Sequence, residues 1–138
     1  IEVTRSALEA AVRVIGPNVR LSKVSATVQQ YAESRGFGVV KKFVGHGIGR
    51  NMHEEPQVPN YVIQPVESFE FVLKPGIVIA LEPMINEGTD DVETLGNNWT
   101  VVTRDRKLSA HFEHTVAVTA DGREVLTPWD VPEWLNTS

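Results

Sequence analysis

The chain has 138 residues, of which 41 % are hydrophobic and 22 % charged, and a formal net charge of −5. That is the profile of one ordinary globular domain, residues 1–138, large enough to bury a core. The acidic balance, with no basic stripe, argues against nucleic-acid or anionic-membrane partners. Cysteine is absent, which excludes disulfides and thiolate metal sites and leaves imidazole and oxygen as metal donors. No apolar run reaches the ~18–20 residues of a membrane span, and no signal-peptide pattern opens the chain, so a cytoplasmic protein is expected.

The first element predicted is a helix. Val3, Ala7, Leu8, Ala11, Val12 and Ile15 recur at the spacing of one buried helical face, with Thr4 as the expected N-cap and Gly16-Pro17 as the stop. A second helix is expected from an N-cap at Ser22, burying Val24, Val28, Tyr31 and Ala32 and ending at Gly36. Residues 37–44 read as one strand. Residues 61–74 contain Pro65 and no clear period. The Pro75-Gly76 turn introduces a strand over residues 77–81, and the polar stretch 86–98 reads as a surface excursion. Short strands follow at 100–104 and 112–118, the latter closed by a turn at Ala120-Asp121-Gly122. The tail after Thr127 holds Pro128, Pro132 and two tryptophans, and its end is expected to be loose. Two helices followed by several strands predict an α+β fold, with helices packed on a curved antiparallel sheet.

The chemistry concentrates in Gly45-His46-Gly47-Ile48-Gly49-Arg50-Asn51-Met52-His53-Glu54-Glu55-Pro56. A structural histidine needs no glycine on both sides; glycine there signals a sharp bend or a close approach of the backbone. His46 on such backbone suits a metal ligand or a general acid/base. His53, followed by two glutamates and a proline, reads either as part of a rigid polar turn or as an imidazole aimed at a substrate carbonyl. Glu82 ends the apolar run Ile77-Val78-Ile79-Ala80-Leu81 and precedes Pro83. A carboxylate there must be ion-paired, hydrogen-bonded or metal-bound. Glu113 lies within Phe112-Glu113-His114-Thr115-Val116, where alternation puts Glu113 and Thr115 on one face and Phe112, His114 and Val116 on the other. It is either a solvent-facing edge residue or a ligand. Two histidines and two glutamates make up the donor set of a hydrolytic metal site. Trp99 packs or walls a pocket. His111 and His114 read as supporting residues rather than as primary ligands.

Three motifs in order resemble the type I methionine aminopeptidases: Gly-His-Gly-Ile-Gly-Arg-x-x-His-Glu-Glu-Pro-Gln-Val, Leu-Glu-Pro-Met, and Ser-Ala-x-Phe-Glu-His-Thr-Val. The resemblance runs from about residue 3 to residue 127. It implies the "pita-bread" fold shared with proline-specific peptidases and creatinase, here its C-terminal half. It implies a metal-dependent aminopeptidase that removes the N-terminal methionine of nascent proteins by two-metal hydrolysis, with two divalent ions (Co, Mn, Fe or Zn) as cofactors. By the resemblance, His46 and Glu82 are ligands of one metal, Glu113 bridges both, His53 contacts substrate at the developing tetrahedral centre, and Glu82 takes part in catalysis. Met52 and Trp99 correspond to positions lining the methionine pocket. Met52 stands where an aromatic residue is frequent, and His111 where glutamine is usual. The family also uses two aspartates and a further histidine from the N-terminal half of its fold. Asp90, Asp91, Asp105, Asp121 and Asp130 match no such motif, so a second chain or a missing N-terminal half is expected to supply them. A non-catalytic pita-bread module that binds a peptide or protein, and a proline-specific aminopeptidase of the same fold, are the alternatives.

Overall fold

In a computed structural model of the chain, residues 1–129 are described. The expectations for Asp130, Pro132 and Trp134 lie outside them. The chain runs α1 (Glu2–Val14), α2 (Leu21–Glu33), β1 (Gly38–Val39), β2 (Gly45–Gly47), β3 (Glu54–Val58), a 3-10 turn (Val66–Phe69), β4 (Val78–Leu81), β5 (Met84–Asn86), β6 (Val92–Thr94), β7 (Val101–Thr103), β8 (Ser109–His111), β9 (His114–Val118) and β10 (Arg123–Val125). Among the described residues, no helix is long and apolar enough to cross a membrane.

Both helices form where the apolar period predicts, and they bury that face. Ala7, Leu8, Ala11 and Val12 of α1 and Val24, Val28 and Ala32 of α2 join Ile79, Leu81, Val116 and Val118 of the sheet in one core. The caps differ from expectation. Thr4 is buried inside α1, whose N-cap is Ile1, and α1 starts early enough to place Glu2 in its first turn, where the helix dipole favours a carboxylate. Arg20, not Ser22, is the N-cap of α2. The Ser22 hydroxyl instead donates to Glu70 at 3.0 Å. At the other end α2 stops at Glu33, and Gly36 takes a positive φ of 80°.

All strand pairs are antiparallel. A five-stranded sheet has the order β10-β9-β4-β2-β3, a three-stranded sheet the order β1-β5-β8, and β6 and β7 form a separate hairpin. Two of the chain's passages between the two larger sheets run side by side. β4 leads into β5 through Glu82-Pro83, and β8 leads into β9 through Phe112-Glu113. The register brackets this seam with Leu81 opposite His114 and Met84 opposite His111.

A third passage between the same sheets explains why residues 37–44 are not one strand. Their first part pairs with β5 in the smaller sheet, and the chain then crosses to enter the larger one as β2. Val39 and Val40 are consecutively buried, which alternation forbids within a single half-exposed strand. The excursion at 86–98 contributes β6 to the hairpin. Residues 54–58, which read as a turn around Pro56, form edge strand β3 across a bulge from β2, a place where proline is tolerated.

Candidate metal centre

The five-stranded sheet gives the site its floor. Gln57, His46, Ala80 and Thr115 form one transverse row across β3, β2, β4 and β9, so their side chains leave the same face. Glu82 lies two residues beyond Ala80 and Glu113 two residues before Thr115, on that face and opposite one another at the seam. The other face is core: Leu81 and Val116 are fully buried. Strand periodicity thus puts His46, Glu82 and Glu113 on one face although 67 positions separate the first from the last in the sequence.

The glycines that flank His46 are required by close packing. A Cβ on Gly45 would run into the carbonyl oxygen of Ala80 on the neighbouring strand, and one on Gly47 into the carbonyl oxygen of Glu55. Only bare backbone lets β2 sit between β4 and β3 in this register.

The His46 ring is fixed by its own strand. Its Nδ1 lies 2.9 Å from the carbonyl oxygen of Gly47, which can only accept, so Nδ1 carries the proton. Nε2 is then the acceptor nitrogen of the neutral ring, and it faces Glu82 Oε1 at 3.6 Å, each side chain 15 % exposed. An imidazole lone pair and a carboxylate oxygen aimed at one point are donors that a divalent ion can share, so the residues present fit a metal.

On the other side of the same carboxylate, His111 Nε2 lies 3.3 Å from Glu82 Oε2. The carboxylate, first as an acceptor and then through its charge, raises the His111 pKa above the ordinary 6.5, against the lowering effect of burial. Ligand atoms of Glu82, His111 and Glu113 all lie within 4.8 Å of one another. His111, which the sequence suggested as a supporting residue, therefore belongs to the carboxylate cluster. His114 does not. It is buried on the core face, its ring 4.1 Å from that of Trp129 between centroids, and burial lowers its pKa.

His53 returns to the site through a tight turn. Glu54 closes that turn by accepting from the Asn51 backbone N–H at 2.9 Å. The His53 and His46 rings then lie with centroids 4.0 Å apart. A cleft of about 1030 Å³ opens here, lined by His46, His53, Glu82 and His111, by Phe43 and Met84 as apolar walls, by Gln57, and at its rim by Trp99. Trp99 is 85 % exposed. Met52, assigned to a pocket wall by the resemblance, is 74 % exposed and is not among the residues lining the cleft.

Asn60 is a residue that the sequence reading passed over. It is fully buried, and its side-chain N–H donates to the Glu82 carbonyl oxygen at 3.2 Å. Beside it, the Ser25 hydroxyl donates to the Pro59 carbonyl at 2.6 Å. Helix α2 and the 59–60 segment thereby hold the backbone where Glu82 leaves β4. An asparagine between Pro59 and Tyr61 in an aperiodic stretch carries no signal that separates this role from a surface turn.

Residues 1–120 match the model of metallopeptidase family M24, and the chain belongs to that family. It is 47 % identical over 127 residues to methionine aminopeptidase 1 of Bacillus subtilis, covering 92 % of this chain and 50 % of that protein. It is 46 % identical over 127 residues to methionine aminopeptidase B of a Synechocystis species, covering 92 % and 45 %. The crystal structure of methionine aminopeptidase from Thermotoga maritima superposes with a TM-score of 0.87 at 44 % identity, over 94 % of this chain and 51 % of that one. Prolidase from Pyrococcus furiosus superposes with a TM-score of 0.69 at 25 % identity, over 94 % and 32 %. The architecture is the α+β pita-bread fold. The chain spans about half the length of the curated relatives it matches.

Proposed function

We propose that the chain is the C-terminal catalytic portion of a metal-dependent aminopeptidase that removes N-terminal methionine from nascent proteins in the cytoplasm. The observation that supports this reading is the placement of His46, Glu82 and Glu113 on one sheet face by register, with His46 and Glu82 lining the cleft. It occurs in a chain 44 % identical to a structurally matched methionine aminopeptidase, against 25 % for the prolidase.

In this reading His46, Glu82 and Glu113 hold two divalent ions of the Co, Mn, Fe or Zn class, since imidazole and carboxylate suit these metals and no thiolate competes. When bound, such ions supply Lewis acidity toward the scissile carbonyl and toward water. The remaining work falls to side chains of this chain. His53, its ring tilted against that of His46 and exposed to the cleft, donates to the oxygen that develops charge as the carbonyl becomes tetrahedral. Glu82 moves a proton between the attacking water and the leaving amine. Trp99 offers an apolar rim to the methionine side chain. The two aspartates and the further histidine of the resemblance come from an N-terminal half or a second chain.

The test is release of free methionine from Met-Ala-Ser, with Ala-Pro-Ser as the competing substrate, by the chain together with any polypeptide that co-purifies with it. Methionine release that EDTA abolishes and Co²⁺ restores is expected. Release from the Xaa-Pro peptide alone would assign a proline-specific enzyme. Binding of either peptide without cleavage or metal uptake would assign a non-catalytic module.

A further inference from the structure

We propose that His111 is itself a metal ligand, and that Glu82, His111 and Glu113 form a three-donor site through which this chain holds one divalent transition-metal ion without donors from any other segment. The inference rests on the metal-site reading of the two glutamates and adds an imidazole at a position where the resembled motif carries glutamine.

Placement supports it first. The three residues occupy the seam where both ladders cross between sheets. His111 is the last residue of β8, Glu113 follows two positions later, and Glu82 lies just before Pro83 on the opposing strand. Two residues apart on an extended chain, His111 and Glu113 point to the same side as Glu82. Two carboxylates directly opposite on neighbouring strands repel, and a cation between them removes that cost.

Distance supports it next. His111 Nε2 and Glu82 Oε2 are 3.3 Å apart, a separation open both to a long hydrogen bond and to two ligands of one ion. Two donors of one tetrahedral ion, each about 2.0–2.1 Å from it, stand about 3.3–3.4 Å from each other. The three donor atoms, within 4.8 Å of one another, lie inside the span that one ion can close with small side-chain rotations. His111 is also open to the cleft, so an ion reaches it from solvent.

Chemistry then sets the class of ion. One imidazole with two carboxylates binds borderline divalent metals, and replacing an amide by an imidazole nitrogen moves preference toward zinc, cobalt and nickel and away from manganese. Glu82 is flanked by imidazole on both oxygens, His46 at Oε1 and His111 at Oε2.

The experiment titrates the full 138-residue chain, stripped of metal, with Zn²⁺ by isothermal calorimetry, alongside the His111→Gln and Glu82→Gln variants. Histidine ¹⁵N NMR of the same samples follows the His111 ring. The wild type is expected to bind Zn²⁺, with His111→Gln weakening binding about 100-fold or more and the His111 Nε2 resonance shifting on metal addition. Loss of binding in Glu82→Gln but not in His111→Gln would overturn the proposal and leave the glutamate metal site standing. An unshifted His111 ring in the zinc-loaded wild type would do the same, because His111 would then act only by holding Glu82. No zinc uptake by the wild type would overturn both.

Discussion

At the scale of single residues, the site depends on groups that never touch a substrate. Gly45 is one. A methyl group there meets the Ala80 carbonyl across the ladder, and backbone cannot swing aside as a side chain does. Gly45→Ala is expected to destabilise the fold by about 1–3 kcal/mol, read as a lower urea midpoint with an unchanged slope. Asn60 is another. Its N–H satisfies the Glu82 carbonyl, while its buried Oδ1 has no partner. Asn60→Ala leaves that carbonyl unpaired and is expected to cost about 1–3 kcal/mol. Asn60→Asp is expected to cost more, because it buries a carboxylate facing a carbonyl oxygen. A smaller loss for Asp than for Ala in chemical denaturation would refute this orientation of the amide. The flanking glycines of His46 and the placement of Glu82 at the end of an apolar run were legible as residues. The role of Asn60 was not, since nothing local distinguishes a buried asparagine that supports a ligand strand from one in a turn.

At the scale of elements, period is what the sequence displays and pairing is what it conceals. The 3.6-residue spacing of Leu8, Ala11, Val12 and Ile15 sufficed to find α1, and alternation around Glu113 sufficed to put it on the face opposite His114. Strands of three residues such as β5 and β8 show no period, and Pro56 disguised β3. Of the β6–β7 hairpin, β7 was expected over 100–104, but β6 was hidden in a polar stretch because the hairpin is secured by surface contacts rather than by core. Its links are Lys41 to Asp90 at 2.7 Å, Lys42 to Thr94 at 2.9 Å, Arg106 to Glu93, and the Thr89 backbone N–H to Asp105 at 3.0 Å. A hydrogen bond from Lys41 is the main cause that holds the Asp90 pKa below its ordinary value, and backbone hydrogen bonds from Thr89 and Lys107 do so for Asp105. Both folded-state values are depressed, so the contribution is complete above pH ~4 and is lost as pH falls through the lowered values. Amide hydrogen exchange in residues 92–103 is therefore expected to accelerate on acidification below about pH 4 before the helices lose protection. Simultaneous loss across the chain would show that the hairpin has no separate latch. The contribution is modest, because these groups are largely solvated.

At the scale of the whole molecule, one sheet serves two purposes on its two faces. Leu81, Val116 and Val118 close the core against the helices, while their neighbours Glu82, Glu113 and Thr115 lie on the opposite face, where Glu82 lines the cleft. Leu81→Ala is expected to cost about 2–5 kcal/mol of stability and to leave the metal affinity of the folded protein unchanged, measured by thermal unfolding and calorimetry on the same sample. A matching fall in affinity would mean that the faces are coupled. The α+β class could be argued from the order of predicted elements, and the shared face of His46, Glu82 and Glu113 follows from strand register, while their joint role rested on the resemblance. The seam, which places Glu82 between His46 and His111, could not be argued from the sequence. It depends on both ladders changing sheets at the same point, and that is a property of pairing between segments about 30 residues apart in sequence.

The central claim is that His46, Glu82 and Glu113 converge on metal, and metal stoichiometry tests it most directly. Native mass spectrometry of the chain after equilibration with Co²⁺ and removal of excess is predicted to retain metal in the wild type and none in Glu113→Ala, with circular dichroism confirming that the variant is folded. Metal content that survives Glu113→Ala, or a wild type that retains none, would contradict the account.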